Sequence, residues 1–461
     1  MFFSPLRILS SVSVAGDTGK WTYKYELMKI IVRAAFYIFY KRVSVSGKYN
    51  VPEKGPLIFV SNHQNALMDP LAIIVLTNRQ PVFLARSDIF SNPVKAKILN
   101  FFKVMPVYRI SDGIDTLEGN RQIFASTVKV LLRGGAIGIM PEGTHSGLKR
   151  LRPLKKGLFR IGFNAVTETP GGLDVRIVPV GLDFSNHYRF REDIVVNIGE
   201  PISLNSYMPL FNEHPQKAIN SARKDLAAGL SDLIIDVKNS EFYDSYSLVS
   251  DIAVACAAKK KNKNFSARDN FQIKRAVIRA VNQGEKNDKR WIESLRNAAG
   301  ELKEYLDRYG LNASVFNHSI RTLNIAVRFF LLTVLLPVFV VGFVSHIIPY
   351  LLIHLILKRL EDPQFISSWK FVSGFFLIPL NYCLIGALLL SFYPAKVVFP
   401  FIGVLFVSGL AACYYKRKLS HFFKSLRLFL LKKRRKEAFS KINFLYGEIC
   451  SLLKPVLKGV G

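Results

Sequence analysis

The chain has 461 residues and a mass of 52.1 kDa; 50% of the residues are hydrophobic and 21% charged. That length leaves room for two or three domains at about 100–200 residues each, and the apolar content excludes a disordered chain. The 64 Lys and Arg residues outnumber 33 Asp and Glu, for a net charge of +31. A surplus of this size calls for an anionic partner: nucleic acid, a lipid headgroup surface or a phosphorylated substrate.

The first element is an N-terminal segment, residues 1–46. Met1 to Lys29 has no long apolar core and does not read as a signal peptide. From Met28 an amphipathic helix is expected, with Ile30, Ile31, Ala34, Ala35, Tyr37 and Ile38 on one broad face and Lys29, Arg33, Lys41 and Arg42 outside it. Such a helix could dock on the domain or on a bilayer surface. Met28 is the expected native start, with residues 1–27 not belonging to the native chain.

Residues 47–205 read as α/β. Short apolar runs end in turn residues at Leu57 to Val60, Val82 to Leu84, Ala136 to Met140, Val175 to Val180 and Ile194 to Ile198. Helical patterns lie between them, at Pro93 to Phe102 and Asn120 to Leu132. Residues 206–322 form a helical section rich in Ala, Lys, Leu and Asp, with polar breaks at Lys259 to Asn264 and Gln283 to Asp288.

Residues 323–415 read as membrane-embedded. Phe329 to Leu357, Phe371 to Ala395 and Val397 to Tyr415 are runs of 29, 25 and 19 residues without Asp, Glu, Lys or Arg. A spanning helix needs about 20 apolar residues. The second and third runs, broken at Tyr393-Pro394-Ala395-Lys396, read as a helical hairpin. The first contains Pro337, Gly342 and Pro349 and is expected to turn back or lie in the interface rather than cross fully. Residues 416–461 are a basic tail: Lys416 to Lys458 holds 13 basic and 2 acidic residues, which places the tail in the cytoplasm. Cys256, Cys383, Cys413 and Cys450 are far apart and show no CxxC spacing. Neither a disulfide nor a Cys-built zinc site is expected, and a reducing compartment fits.

Two segments carry chemistry. In the first, the apolar run Leu57-Ile58-Phe59-Val60 ends in Ser61-Asn62-His63, and Asp69-Pro70 follow. A His can act as general base near neutral pH, and an Asp on its other ring nitrogen fixes the tautomer and stabilises the imidazolium. On one continuous helix these two side chains would point about 120° apart. They therefore meet only if His63 sits in a loop and Asp69 at a helix start. The alternative is that Asn62 and Asp69 cap a helix and His63 is incidental.

In the second segment, Ala136 to Met140 runs into Pro141-Glu142-Gly143-Thr144-His145-Ser146. Exposed N–H groups of such a turn could hold a phosphate, with the Thr144 and Ser146 hydroxyls assisting. Lys149, Arg150, Arg152, Lys155 and Lys156 follow, as phosphate ligands or as a solvated face resting on anionic lipid. Arg109 is a further phosphate candidate because a guanidinium offers a bidentate fork. There is no GxSxG nucleophile elbow, Walker A loop or complete GxGxxG.

In order, these segments resemble the glycerolipid acyltransferase family over roughly residues 47–205. Asn62-His63 through Asp69-Pro70 is similar to its His-Asp block, and Val104 to Arg109 to the block whose Arg binds substrate phosphate. Met140-Pro141-Glu142-Gly143-Thr144 is similar to the third block, and Ile177-Val178-Pro179-Val180 to the fourth, on the acyl-donor side. Five residues separate His63 from Asp69, where most of the family has four. In this the chain resembles the fungal-type glycerol-3-phosphate/dihydroxyacetone-phosphate acyltransferases.

The resemblance implies an α/β acyltransferase domain, then a helical section and C-terminal membrane helices. It implies His63 and Asp69 as catalytic residues, Arg109, Gly143 and Thr144 as phosphate ligands, and Asn62, Glu142 and Pro179 as supporting residues. His145 would be a further phosphate contact where family members often have Arg. The expected reaction transfers a fatty acyl group from acyl-CoA or acyl carrier protein to glycerol 3-phosphate or dihydroxyacetone phosphate, in phospholipid synthesis. A lysophosphatidate or other lysophospholipid acceptor is the alternative within enzymes, and a non-catalytic scaffold binding anionic lipid the alternative outside them. Expected partners are an anionic membrane, the acyl donor and the glycerol phosphate acceptor; no nucleic acid, cofactor or metal is expected. The expected location is an integral membrane one, with the catalytic domain facing the cytoplasm, at a bacterial inner membrane or an endoplasmic reticulum.

Overall fold

The computed structural model describes residues 19–107, 116–169, 173–262, 265–317 and 322–459. The chain divides into two compact units: Met1–Ile235 with Asp362–Ser368, and Asp236–Glu361 with Trp369–Gly461.

Among the described residues the first unit is built on an eight-stranded sheet: β1 (Arg42–Ser46), β2 (Leu57–Ser61), β3 (Val82–Arg86), β4 (Val104–Val107), β5 (Ala136–Ile139), β6 (Arg176–Phe184), β7 (Asp193–Ile198) and β8 (Ile202–Ser203). The order is β1-β7-β6-β2-β5-β3-β4, with β8 paired to β6. β2 lies between β5 and β6 and is parallel to both. Every residue of β2 is buried, which is why it reads as an unbroken apolar run rather than an alternating one. Ile58, Val60, Ile137, Leu131, Phe159 and Leu230 belong to one core, built on the helices Thr116–Leu132, Gly157–Thr167 and Pro215–Leu233. Gly138 is required in β5, because a Cβ there would lie 2.2 Å from the Phe83 ring. Val60 stands opposite Ile139, so the chain leaves β2 and β5 side by side at their carboxyl ends, where open parallel sheets bind ligands.

This unit extends beyond the expected boundary at residue 205. Helix Pro215–Leu233 packs on the sheet so closely that a Cβ on Gly181 of β6 would lie 2.5 Å from the Leu233 carbonyl oxygen. The N-terminal helix runs Tyr23–Phe39 and so begins before Met28. Its buried face is Tyr25, Lys29, Val32, Phe36 and Phe39. The expected face stays open instead, with Ile30, Ile31, Tyr37 and Ile38 all exposed. Polar bonds decide the outcome: Lys29 Nζ donates to the Arg79 carbonyl at 3.4 Å, the Arg33 Nε–H donates to the Val75 carbonyl at 2.7 Å, and the Thr22 backbone N–H donates to Gln80 Oε1 at 3.0 Å. Residues 20–27 thus carry part of the unit's buried network.

The second unit is helical. Helices Tyr243–Lys261, Ala267–Asn287, Lys289–Arg308 and Lys436–Lys458 pack together; the Trp291 indole N–H donates to the Leu452 carbonyl at 3.0 Å. Cys256 and Cys450 form a disulfide, with Cα atoms 6.0 Å apart. This corrects the expectation of four free cysteines and removes that argument for a reducing compartment. A sequence separation of 194 does not keep two positions apart when their helices pack side by side.

Among the described residues, three helices are long and apolar enough to cross a membrane: Leu323–Ser345, Pro363–Leu390 and Ala395–Arg434. The first is a longer continuous helix than its Pro and Gly residues led one to expect. Pro337 lies inside helix Thr322–Ser345 without ending it. The break comes at His346, before the short apolar helix Ile347–Lys358. Pro349 explains the place, since it removes an N–H and its ring excludes a helical approach of the carbonyl four residues back, Ser345. That carbonyl accepts instead from Asn381 Nδ2 at 3.0 Å. Beside it His346 meets the Tyr382 hydroxyl at 2.7 Å. Gly342 permits close backbone approach, since a Cβ there would lie 2.1 Å from the Ser408 carbonyl oxygen. Helix Ala395–Arg434 has 40 residues, about 60 Å at 1.5 Å per residue against a hydrocarbon core of about 30 Å. Its basic second half therefore continues a membrane helix rather than starting a separate tail.

Candidate active site

The loop after β2 begins with a clamp. Asn62 is fully buried; its Nδ2 donates to the Leu182 carbonyl at 2.9 Å and its Oδ1 accepts from the Leu182 N–H at 2.8 Å. Asn62 therefore fixes the loop to β6. His63 follows in the loop, and Asp69 lies in the first turn of helix Met68–Leu76. His63 Nδ1 and Asp69 Oδ2 are 2.8 Å apart. The same carboxylate oxygen accepts from the Gln64 and Asn65 N–H groups at 2.9 and 2.8 Å. The extra residue of the five-residue spacing is absorbed by a turn: Ala66 has a positive φ of 41°, and the Met68 N–H donates to the Asn65 carbonyl at 2.8 Å. Asp69 is wholly buried. The buried Tyr40 hydroxyl is pushed well above its usual range, first by burial and then by the Asp69 charge.

The turn after β5 lies against this loop. The Ser146 N–H donates to the His63 carbonyl at 3.0 Å, and the His63 N–H to Glu142 Oε1 at 3.3 Å. Glu142 Oε2 accepts from Arg152 Nε at 2.7 Å, and Arg152 Nη1 donates to Thr144 Oγ1 at 2.6 Å. Burial raises the Glu142 carboxyl above its ordinary value, and Arg152 and the His63 N–H pull it back. Gly143 has φ +76°, a conformation that favours glycine, and Lys155 Nζ lies over the turn, 2.6 Å from where a Cβ would stand. The His145 ring stands edge-on to His63, with centroids 5.5 Å apart. Pro179, opposite Val60 in the register of β6 and β2, is buried and its carbonyl accepts from the Gly199 N–H at 2.9 Å.

His63, Asp69, Asn62, Glu142, Gly143, Thr144 and His145 thus come together, and Pro179 lies within the adjacent strand. Arg109 lies outside the described residues. The basic run is not a uniform face. Lys149 is buried against Asp183 and donates to the Phe184 carbonyl at 2.8 Å, while Lys156 reaches Gln216 on the surface at 3.4 Å. Two members carry the site: Arg152 holds both Glu142 and Thr144, and Lys155 covers Gly143. Their signal in the sequence is Glu142 in the turn itself, since a carboxylate that is buried requires a nearby cation.

A third contributor comes from far along the chain. Asp362–Ser368 belongs to the same compact unit as the sheet. Asp362 Oδ2 is 3.1 Å from His145 Nε2, the Phe365 ring meets the His145 ring edge-on at 4.8 Å, and the Leu67 N–H donates to Ser368 Oγ at 3.2 Å. Ser367 bonds the His187 carbonyl. Nothing in the local sequence announces this segment.

The acyltransferase family model matches residues 42–183, the stretch from β1 through most of β6 that carries both loops. This segment is a domain of the acyltransferase family. The chain is 21% identical to glycerol-3-phosphate O-acyltransferase 2 of Saccharomyces cerevisiae, over 50% of this chain and 44% of that protein. It is 28% identical to the 1-acyl-sn-glycerol-3-phosphate acyltransferase of Borreliella burgdorferi, over 38% of this chain and 63% of that protein. The chain thus spans less than half the length of the yeast relative it matches. The crystal structure of PlsC, the 1-acyl-sn-glycerophosphate acyltransferase of Thermotoga maritima, aligns with 46% of this chain and 80% of its own at 18% identity, with a TM-score of 0.34. Outside that segment, the described residues include three helices long and apolar enough to cross a membrane.

Proposed function

We propose that the chain transfers a fatty acyl group from acyl-CoA or acyl carrier protein to the hydroxyl of glycerol 3-phosphate. One observation carries the reading: the His63–Asp69 contact at 2.8 Å, with Asp69 wholly buried. It engages Nδ1, and Nε2 makes no hydrogen bond among the described residues, so a base nitrogen faces the site in a fixed tautomer. The acceptor oxygen attacks the thioester carbonyl carbon while His63 Nε2 takes its proton. The C–S bond then breaks and the imidazolium returns the proton to the thiolate, giving an ester and a thiol. Asp69 stabilises the imidazolium. Arg109 and the turn at Gly143 and Thr144 hold the acceptor phosphate, with Lys155 above Gly143. Asn62, Glu142 and Pro179 position these groups.

The five-residue spacing, also a feature of the resemblance to fungal-type enzymes, supports glycerol 3-phosphate or dihydroxyacetone phosphate as acceptor. The higher identity to the Borreliella protein favours a second reading, 1-acylglycerol 3-phosphate. Both acceptors carry the phosphate and hydroxyl that the site addresses. The basic end of helix Ala395–Arg434 and the basic Lys436–Lys458 support, by charge bias, a catalytic face in the cytoplasm against an anionic leaflet. The test is acyl transfer by membranes containing the full chain, with glycerol 3-phosphate, dihydroxyacetone phosphate and lysophosphatidate supplied in turn. Acylation of glycerol 3-phosphate or dihydroxyacetone phosphate at the higher kcat/KM supports the first reading. Preference for lysophosphatidate installs the second, and inactivity with all three and with both donors defeats the enzyme in favour of a lipid-binding scaffold.

A further inference from the structure

The segment Asp362–Ser368 lies in the sequence between two apolar helices, Ile347–Lys358 and Ile366–Leu390, and the latter begins within it. A loop in such a place ordinarily does no more than connect. Here it contacts the acyltransferase unit, and the contacts of Asp362, Phe365 and Ser368 fall on the two loops of the candidate site. Asp362 and Phe365 meet His145, in the turn after β5. Ser368 caps the Leu67 N–H, inside the His63–Asp69 loop. Ser367 bonds the His187 carbonyl. Ser367 and Ser368 are buried, whereas the Asp362 side chain is 43% exposed. The end fixed by the serines is anchored, and the end bearing the carboxylate opens to solvent beside His145.

The contact with His145 has the form of the contact with His63: a carboxylate oxygen on one ring nitrogen, leaving the other unengaged. At His63 the free nitrogen is Nε2; at His145 it is Nδ1, for which no hydrogen bond occurs among the described residues. A carboxylate at hydrogen-bond distance fixes the plane of the ring. Asp362 is itself kept ionised, since the Gln364 N–H and then His145 hold its carboxyl below the ordinary range. The Phe365 ring on the other side limits rotation of the imidazole. The result is an oriented ring beside His63 and next to Thr144, on the side where the phosphate-binding turn lies.

We propose that Asp362–Ser368 is a strap forming one wall of the acyltransferase site, and that Asp362 is a positioning residue, holding the His145 imidazole for contact with the phosphate of the acceptor. The apolar region of the chain then supplies a piece of the site and not only an anchor. The role of His145 rests on the acyl-transfer reading above; the docking of the strap does not.

The experiment uses full-length chain in membranes and measures kcat together with KM for the acceptor and for acyl-CoA. Asp362→Asn is expected to raise the acceptor KM about tenfold, the scale of a hydrogen bond to a charged group. The kcat stays within about twofold and the acyl-CoA KM is unchanged, while Asp362→Glu recovers most of the loss. His145→Gln produces the same pattern, and the double variant is no worse than the worse single one by more than about twofold, as expected of residues acting through one contact. An unchanged acceptor KM in Asp362→Asn, or single effects that multiply in the double variant, overturns the positioning role. A loss confined to kcat that Asp362→Glu does not rescue also overturns it. The strap has its own readout, which needs no activity: oxidation of Leu67→Cys/Ser368→Cys. A disulfide between these positions supports the docked strap, even where wild type acylates nothing and the acyl-transfer reading alone has failed. Absence of that cross-link overturns the strap.

Discussion

Two His–carboxylate pairs stand edge to edge in this molecule, and they are built in opposite ways. His63 and Asp69 are six residues apart on one loop and one helix start. Their carboxylate is wholly buried and receives two further backbone N–H groups from the same loop. His145 and Asp362 are 217 residues apart, and their carboxylate is half open to solvent. The first pair is fixed by local turn chemistry and forms wherever the loop folds. The second exists only when a segment from the apolar half of the chain docks. On the functions proposed above, the difference separates a constant element, the proposed base of acyl transfer, from an adjustable one, the proposed wall that selects what is acylated.

Changes to the local pair test that division with the largest effect. Asp69→Asn keeps the shape of the loop but loses the carboxylate that fixes the tautomer, and kcat should fall by about 10³–10⁴ with either acceptor. A fall confined to one acceptor would make the first pair a selector and erase the contrast.

Arg152→Met comes next, since it strips Glu142 and Thr144 of one shared partner. Acceptor kcat/KM should drop about tenfold or more, and stability by about 2 kcal/mol, because a hydrogen bond to a buried charge is lost. Denaturation of the solubilised protein reads the second number. An unchanged midpoint would mean that the Glu142–Arg152 bond does not form.

The Asp362 and His145 variants described above follow, with effects confined to the acceptor KM. A milder change at the anchored end of the strap, Ser368→Ala, removes one neutral bond to the Leu67 N–H. It should raise the acceptor KM by no more than about fivefold; a loss as large as that of Asp69→Asn would place the strap in the chemistry itself.

The smallest effect is a pH dependence. The Glu142 carboxyl titrates above its ordinary 4.5 in the folded chain. Its neutral form is therefore favoured by folding. That contribution is full below pH 4.5 and is lost as pH rises through the raised folded value. Glu142→Gln should flatten this part of the curve of stability against pH, and an identical curve for the two proteins would contradict the burial argument.

What the sequence discloses follows the same line between local and distant. The strand ending in Asn62-His63, the Asp69 partner and the turn at Glu142-Gly143-Thr144 are legible because each is a contiguous strand-to-turn passage. Their meeting is legible too, since parallel strands put the ends of β2 and β5 together. The parts that escape it depend on long-range packing. Asp362 gives no local sign of touching His145. The N-terminal helix turns its polar bonds, not its richest apolar stripe, toward the sheet, because Glu26, Lys29 and Arg33 find partners there. The end of the first apolar helix is set by Pro349 acting on Ser345, and Pro337, the more conspicuous residue, has no such effect. Cys256 and Cys450 meet because two helices pack, which no spacing rule foresees. Arg152 is an intermediate case: it is visible in a basic run, but only the buried Glu142 singles it out.

The central claim is that the local pair is the base of an acyl transfer. Its most direct test is acyl transfer to glycerol 3-phosphate by membranes holding equal amounts of wild-type chain and His63→Ala. The account predicts transfer by the wild type and a rate lower by at least about 10² in the variant. Equal rates in the two would contradict it, whatever the acceptor.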